Sequence, residues 1–206
     1  MIGRMGIVEL LGIAGSISLL SGWRLYLSIA ATGLAMRFGA IPLPEQLAAL
    51  DALANPWIIG IALFGAGAEF FADKVMWLDT LWDSVHTLIR PVGGALLALA
   101  IVDPGDPAWQ VIAFLLGGGG ALLAHGGKAG ARAVVNASPE PVSNIAVSSM
   151  EDIASVGALW IVYEYPYVAA VVAVILLAIA VGLLLIARRL VRRLFRRDPV
   201  RDGSPP

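Results

Sequence analysis

The sequence predicts an all-α protein, a polytopic bundle of about six transmembrane helices in which some members are short or broken. Three observations carry that prediction. Of 206 residues, 59% are hydrophobic and only 14% charged, and the mean hydropathy is +0.84, more apolar surface than one soluble core hides. Several runs approach the roughly 20 apolar residues that a helix needs to cross about 30 Å of hydrocarbon. No stretch alternates with the two-residue period of a strand.

In chain order, Leu10–Met36 is interrupted only by Arg24. Before it, Met1–Glu9 carries Arg4 and no small-residue cleavage site, so this first span is expected to be retained, unlike a signal peptide. Ala52–Ala68 is a second run. Pro91–Val102 is too short alone and long enough once the turns from Ser84 join it. Pro107–Ala124 follows. The connector Asn136–Asn144 contains Pro139 and Pro141, which forbid a continuous helix. Ser148 and Glu151 then fit a capping box, which assigns Glu151 and Asp152 to a helix N-terminus. Ile153–Tyr163 is again short, and Glu164 with Pro166 separates it from Tyr165–Ala187, a run without any charge.

Charge distribution orients the bundle. The formal net charge is −1, which excludes a nucleic-acid binder relying on bulk positive charge. That figure hides a division: seven arginines and two aspartates follow Ala187, leaving seven cations and 13 acids before it. Residues 1–187 read as the membrane domain and 188–206 as a cytoplasmic, partly disordered Arg-rich tail, because positive flanks stay inside. The Asp103–Pro107 turn, acidic and without a base, suits the outer face. Six crossings with both termini cytoplasmic follow if Glu151–Tyr163 crosses, and five if it is re-entrant. Twelve of 14 cations are Arg, in keeping with a GC-rich bacterial genome. Six spans divide into three plus three, which makes any internal repeat inverted. Leu19–Arg24 and Leu123–Lys128 echo each other as glycine-bearing breaks followed by a cation.

Two polar stripes interrupt the apolar background. Glu69, Asp73 and Lys74 lead into Asp79, Asp83, His86 and Arg90, whose spacing lines one face of a helix. His125, Lys128, Arg132 and Asn136 are spaced three, four and four, with Gly126, Gly127 and Gly130 thinning the helix for close neighbours. One stripe is mainly acidic and the other basic, so they are expected to face each other in the cytoplasmic half. Ion pairing that fixes helix register is one reading, and a water-accessible cavity is the other. Arg24 sits mid-span beside Gly22, where a broken helix would present backbone groups and a guanidinium to an anion.

Other chemistry is excluded or unsupported. The chain has no cysteine and two histidines, which rules out thiol catalysis, disulfides and Cys-ligated metal. No catalytic constellation, phosphate-binding loop or HExxH pair is present, and Gly117–Gly120 lacks the Lys-Ser/Thr that a P-loop requires. No cofactor and no metal are expected. Leu190, Val191, Leu194 and Phe195 suit the inner leaflet while the tail arginines meet anionic lipid.

The strings Ser21–Tyr26 (SGWRLY), Glu69–Ala98 (EFFADKVMWLDTLWDSVHTLIRPVGGALLA) and His125–Asp152 (HGGKAGARAVVNASPEPVSNIAVSSMED) resemble the bacterial membrane family catalogued as domain of unknown function 4126. The resemblance covers most of Gly15–Tyr163. It implies a small multi-span inner-membrane protein and carries over no activity. The matching strings contain Arg24, Glu69, Asp73, Lys74, Asp79, Trp82, Asp83, His86, Arg90, His125, Lys128, Arg132, Asn136, Pro139, Glu140 and Asn144. Glu69–Lys74 is also similar to the E-x-G-D-K motif of calcium and manganese exchangers, with one extra residue and no second copy, a departure that speaks against cation exchange.

The expected function is a small transporter or flippase-like carrier for a charged solute or lipid headgroup, not an enzyme. Its candidate binding residues are Arg24, Glu69, Asp73, Lys74, Asp79, Asp83, His86, Arg90, His125, Lys128, Arg132, Asn136, Glu140 and Asn144. The alternative is a structural or regulatory membrane subunit whose buried charges are internal ion pairs. Expected partners are the bilayer, anionic headgroups at the tail and a small charged substrate; homo-oligomerisation is left open.

Overall fold

Prolines and small polar caps set where the helices begin. A computed structural model describes residues 6–40, 45–102, 105–135 and 141–194. They form α1 (Ile7–Trp23), α2 (Leu25–Arg37), a 3₁₀ segment (Glu45–Ala54), α3 (Pro56–Ala72), α4 (Met76–Leu99), α5 (Pro107–Val135), α6 (Pro141–Glu164) and α7 (Pro166–Leu194). Four helices start on proline, whose missing N–H costs nothing in the first turn. Ahead of α3, the Asn55 side chain accepts the Trp57 N–H at 2.9 Å. Ahead of α5, Asp106 Oδ1 accepts from Ala108 and Trp109 at 3.1 and 3.3 Å. The end of α2 is a Schellman motif: Gly39 takes φ 64°, Ala40 N–H donates to Ala35 O and Gly39 N–H to Met36 O.

The all-α expectation is met, and the arrangement of the first run differs from it. Leu10–Met36 is not one span. It breaks at the single residue Arg24, φ −141° and ψ 75°, and α2 folds back. Arg24 reaches Ser148 and Glu151 on α6, while Thr32, two turns on, hydrogen-bonds Tyr163 near the far end of that helix at 2.9 Å. Meanwhile α1 lies alongside α7 in the same direction, since Gly12 abuts Ala169 and Ala170, and Gly15 abuts Ala173.

These contacts sort the chain ends. Ile7 shares a cavity of about 300 Å³ with Val102, Asp106 and Trp109 at the α4–α5 turn. Gly127 packs on Ala180 and Gly130 on Ala187, so α5 and α7 also run in parallel. Ile7 and Arg188 therefore lie at opposite ends of the bundle. The expectation of six crossings with both termini on one face does not fit this packing, because the reversal at Arg24 adds a traverse. The expected echo of a glycine-bearing break is not seen: the chain breaks at Arg24, while α5 continues unbroken through Gly126, Gly127 and Lys128.

Close approach of backbones holds the centre. A Cβ at Gly22 would collide with Ala121 backbone atoms, and Gly94 faces Gly117 and Ala121 across the α4–α5 pair. Ser18 Oγ donates to Gly94 O at 3.1 Å and Ser16 Oγ to Ala169 O at 2.9 Å, tying α1 to α4 and α7. The apolar core around Ile13, Ile17, Leu20, Leu97, Val162 and Ala169 begins one turn before Arg24 and extends toward the start of α7. Three helical stretches, Pro107–Arg132, Ile145–Glu164 and Pro166–Arg193, are long and apolar enough to cross a membrane. Their outer faces carry exposed Val174, Leu116 and Ile153, as a hydrocarbon solvent requires. Helices α1 and α3, 17 residues each, extend only about 25 Å at 1.5 Å per residue.

Candidate functional site

Each helix that ends inside the bundle leaves carbonyls without intrahelical donors. The reversal at Arg24 does this to Gly22 and Trp23, and buried cations fill the gap: Arg90 Nη1 donates to Gly22 O at 3.1 Å and Lys128 Nζ to Trp23 O at 3.3 Å. Positive charge at a helix C-terminus is also favoured by the helix dipole. The same break aims the Arg24 guanidinium away from α1. It pairs with Asp73, with Glu151 at 3.3 Å and Asp152 at 3.0 Å, and donates to the carbonyl and hydroxyl oxygens of Ser148 at 3.0 and 3.1 Å.

Asp73 caps the end of α3 and is the hub. Its Oδ2 faces Arg24, Lys128 at 3.4 Å and Arg132 at 3.4 Å. One turn earlier, Glu69 Oε1 meets Arg90 at 2.5 Å and Lys128 at 3.5 Å. Arg132 Nη2 also donates to Glu151 at 2.9 Å, and Asp83 Oδ1 lies 3.6 Å from Arg90 Nη1. Arg24, Arg90, Lys128 and Arg132 are each at most 1% exposed. Such charges are tolerated at this depth only when paired and hydrogen-bonded. With Asp79, four cations and six carboxylates gather here.

Both histidines are fixed by geometry. Arg90 donates into His125 Nδ1 at 2.8 Å, so the ring proton sits on Nε2, which donates to Asp83 O at 3.1 Å and Thr87 Oγ1 at 3.0 Å. His86 Nδ1 donates to Trp82 O at 2.7 Å, leaving Nε2 to accept from the Tyr26 hydroxyl at 3.0 Å. His86 also stacks on Trp82 with ring centroids 4.3 Å apart and meets Tyr26 edge-on.

The two stripes do face each other across α4 and α5, as expected. Most α5 cations nevertheless reach past α4 to the acids that end α3. Lys74 does not join them: its Nζ turns back to Phe70 O at 3.2 Å and lies over the Phe70 ring. Asn136 and Glu140 lie outside the described residues, as does the side chain of Asn144 on α6. The capping-box assignment of Ser148 and Glu151 is overturned, because α6 starts at Pro141 and places both inside the helix. Sequence reasoning thus missed Ser148, Glu151 and Asp152 as network members, and Tyr26 as the partner of His86. A signal was present: Ser148, Glu151 or Asp152, and Ser155 recur on one helical face of an apolar segment. Among the described residues, no group of three or more His, Cys, Asp or Glu is placed to hold a metal ion.

A side notch reaches the network. About 170 Å³ in volume, it is lined by Asp79, Thr80, Asp83, Ser84 and Thr87 on α4, and by Ala129 and Arg132 on α5.

The helices, three of them long and apolar enough to cross a membrane, and the ion-paired interior describe an all-α protein with candidate membrane spans and a buried charge network. The chain belongs to the family described as domain of unknown function 4126 (DUF4126), which matches residues 11–185. No curated protein and no solved structure matches it.

Proposed function

We propose that the protein is a small inner-membrane carrier for a charged solute or lipid headgroup, with the buried network as its binding and coupling site. One observation carries this reading: a buried network in which carboxylates outnumber cations borders a notch that opens at the side of the bundle. A purely structural cluster at this depth is expected to balance its charges, whereas an excess of carboxylate calls for bound protons or a cationic group. Arg24, Lys128 and Arg132 would engage an anionic group. Glu69, Asp73, Asp79 and Asp83 would take up coupling protons or cations. The Arg-rich end of α7 would face the cytoplasm and meet anionic lipid.

Proteoliposomes test the reading. Substrate- or proton-dependent flux is expected with the native chain and is lost in Arg132→Ala and in the isosteric Asp83→Asn. Unchanged flux in both folded variants removes the proposed role.

A second reading draws on the connectivity of Arg24, whose guanidinium joins the α1–α2 tip to α3 and α6 at once. Such a clasp suits a structural or regulatory subunit. Exchanging the charges of Arg132 and Glu151 together discriminates: restored stability with no flux in native or exchanged protein favours the scaffold.

A further inference from the structure

The larger opening lies at the end of the bundle opposite the Arg-rich end of α7. It is the cavity of about 300 Å³ between the first turns of α1 and the α4–α5 turn, where Ile7, Leu10, Leu11 and Val102 meet Asp106 and Trp109. A second cavity, of about 170 Å³, shares Leu11, Ala14, Val102 and Trp109 with it and runs on between α1 and α5 to Ser18 and Gly117. The two form one slot that follows α1 from Ile7 to Ser18, about 16 Å at 1.5 Å per residue. The mouth alone reaches the size of small-molecule sites. Hydroxyl and charged side chains stand only at its two ends, Ser18 inside and Asp106 at the mouth. The Ser18 proton is committed to Gly94 O at 3.1 Å, so the inner end offers a ligand no donor.

Asp106 is unlike the carboxylates of the buried network. It is partly exposed, and its Oδ1 accepts the backbone N–H groups of Ala108 and Trp109. Among the described residues, no cation and no side-chain donor engages its Oδ2. A carboxylate with one accessible oxygen beside an apolar cavity attracts positive charge, because the low-dielectric wall screens its field less than water does. Trp109, on the same wall, adds an aromatic ring suited to a cation. The apolar walls alone would select nothing, since a hydrocarbon tail finds equally apolar surroundings in lipid. The unpaired carboxylate therefore decides which apolar molecule belongs here.

We propose that this slot binds a lipophilic ammonium ion, an apolar amine whose charged nitrogen sits against Asp106 Oδ2 and Trp109 and whose tail lies along Leu11 and Ala14 toward Gly117. Along α5 the mouth is about 27 Å from His125 at 1.5 Å per residue. The site is thus separate from the charge network and does not depend on the carrier reading.

Full-length protein in phosphatidylcholine nanodiscs is titrated with tritiated octylamine, protonated at neutral pH as a primary amine is, and binding is read by scintillation proximity against empty nanodiscs. Saturable binding is expected. Octanol and octanoate, of the same length and without positive charge, should displace it at least about tenfold more weakly than unlabelled octylamine. Asp106→Asn keeps a competent helix cap and removes the charge. It is expected to weaken octylamine binding about tenfold and to erase the preference over octanol. Val102→Phe adds a ring to the wall that both cavities share and should weaken octylamine and octanol alike. Unfolding midpoints close to the native value show that the variants are folded. Absence of saturable binding, equal displacement by the three compounds, or undiminished affinity in Asp106→Asn overturns the proposal. Undiminished affinity in Val102→Phe overturns it as well, by placing the ammonium on Asp106 outside the slot.

Discussion

Asp73 shows how much one carboxylate can hold. It is fully buried and its Oδ2 is shared by Arg24, Lys128 and Arg132. Asp73→Asn keeps the shape and removes the charge, leaving three cations short of their counterion. A loss of about 3–5 kcal/mol is expected, as for breaking other buried pairs, read as a lowered unfolding midpoint in detergent. The neighbouring Lys74→Ala should change stability by no more than about 0.5 kcal/mol, since its ammonium is spent on Phe70 at the surface. The contrast also marks what residue types reveal. Ionisable side chains inside apolar runs advertised Arg24, Glu69, Asp73, Arg90, Lys128 and Arg132 as costly and therefore paired. Nothing in the string Glu69–Lys74 told Asp73 from Lys74, because one residue past a helix end a side chain can turn inward or outward. Glu151 was hidden for a different reason: Ser-x-x-Glu satisfies a helix start locally, and only the position of Pro141 as the first residue of α6 cancels it.

Among the elements, α1 is defined by how closely it can approach others. Gly22 rests on Ala121 with no room for a methyl group, one residue before the carbonyl that Lys128 holds. Gly22→Val must push α1 off α5 and pull Gly22 O and Trp23 O away from their cations. A loss of several kcal/mol is expected, from overpacking of about 1–3 kcal/mol together with the strained polar contacts. Gly119→Ala, with nothing within 4 Å of its would-be Cβ, should be neutral or slightly stabilising. Comparison of the two by thermal unfolding separates packing from helix propensity. The break at Arg24 was legible from Gly22 and the mid-span cation. The direction taken afterwards was not, because it is set by where α3 and α6 place their acids, contacts remote in sequence. The long helix α4 was legible from its stripe, although its charges keep it out of the set recognised by apolarity alone.

For the whole molecule, the reversal fixes the order of the ends. Phe38 and Gly105 belong to one end of the bundle, Val75 and Arg189 to the other. The absence of native cysteine makes single-cysteine labelling direct. Phe38→Cys and Gly105→Cys should react with an impermeant maleimide from one face of the membrane, and Val75→Cys and Arg189→Cys from the opposite face. Labelling of Phe38→Cys and Arg189→Cys from the same side would contradict the folded-back α1–α2 pair. The reversal also bears on synthesis. Arg24 emerges early in translation, yet Glu151, one of the acids that neutralise it, follows 127 residues later. Until α3 and α6 supply the acids, and α4 and α5 the cations, the tip of the α1–α2 pair carries an incompletely compensated guanidinium and two bare carbonyls that hydrocarbon rejects. The nascent hairpin must therefore wait at a wet boundary, in the translocon or the headgroup layer, and settles only when Asp73 and then Glu151 and Asp152 have been made.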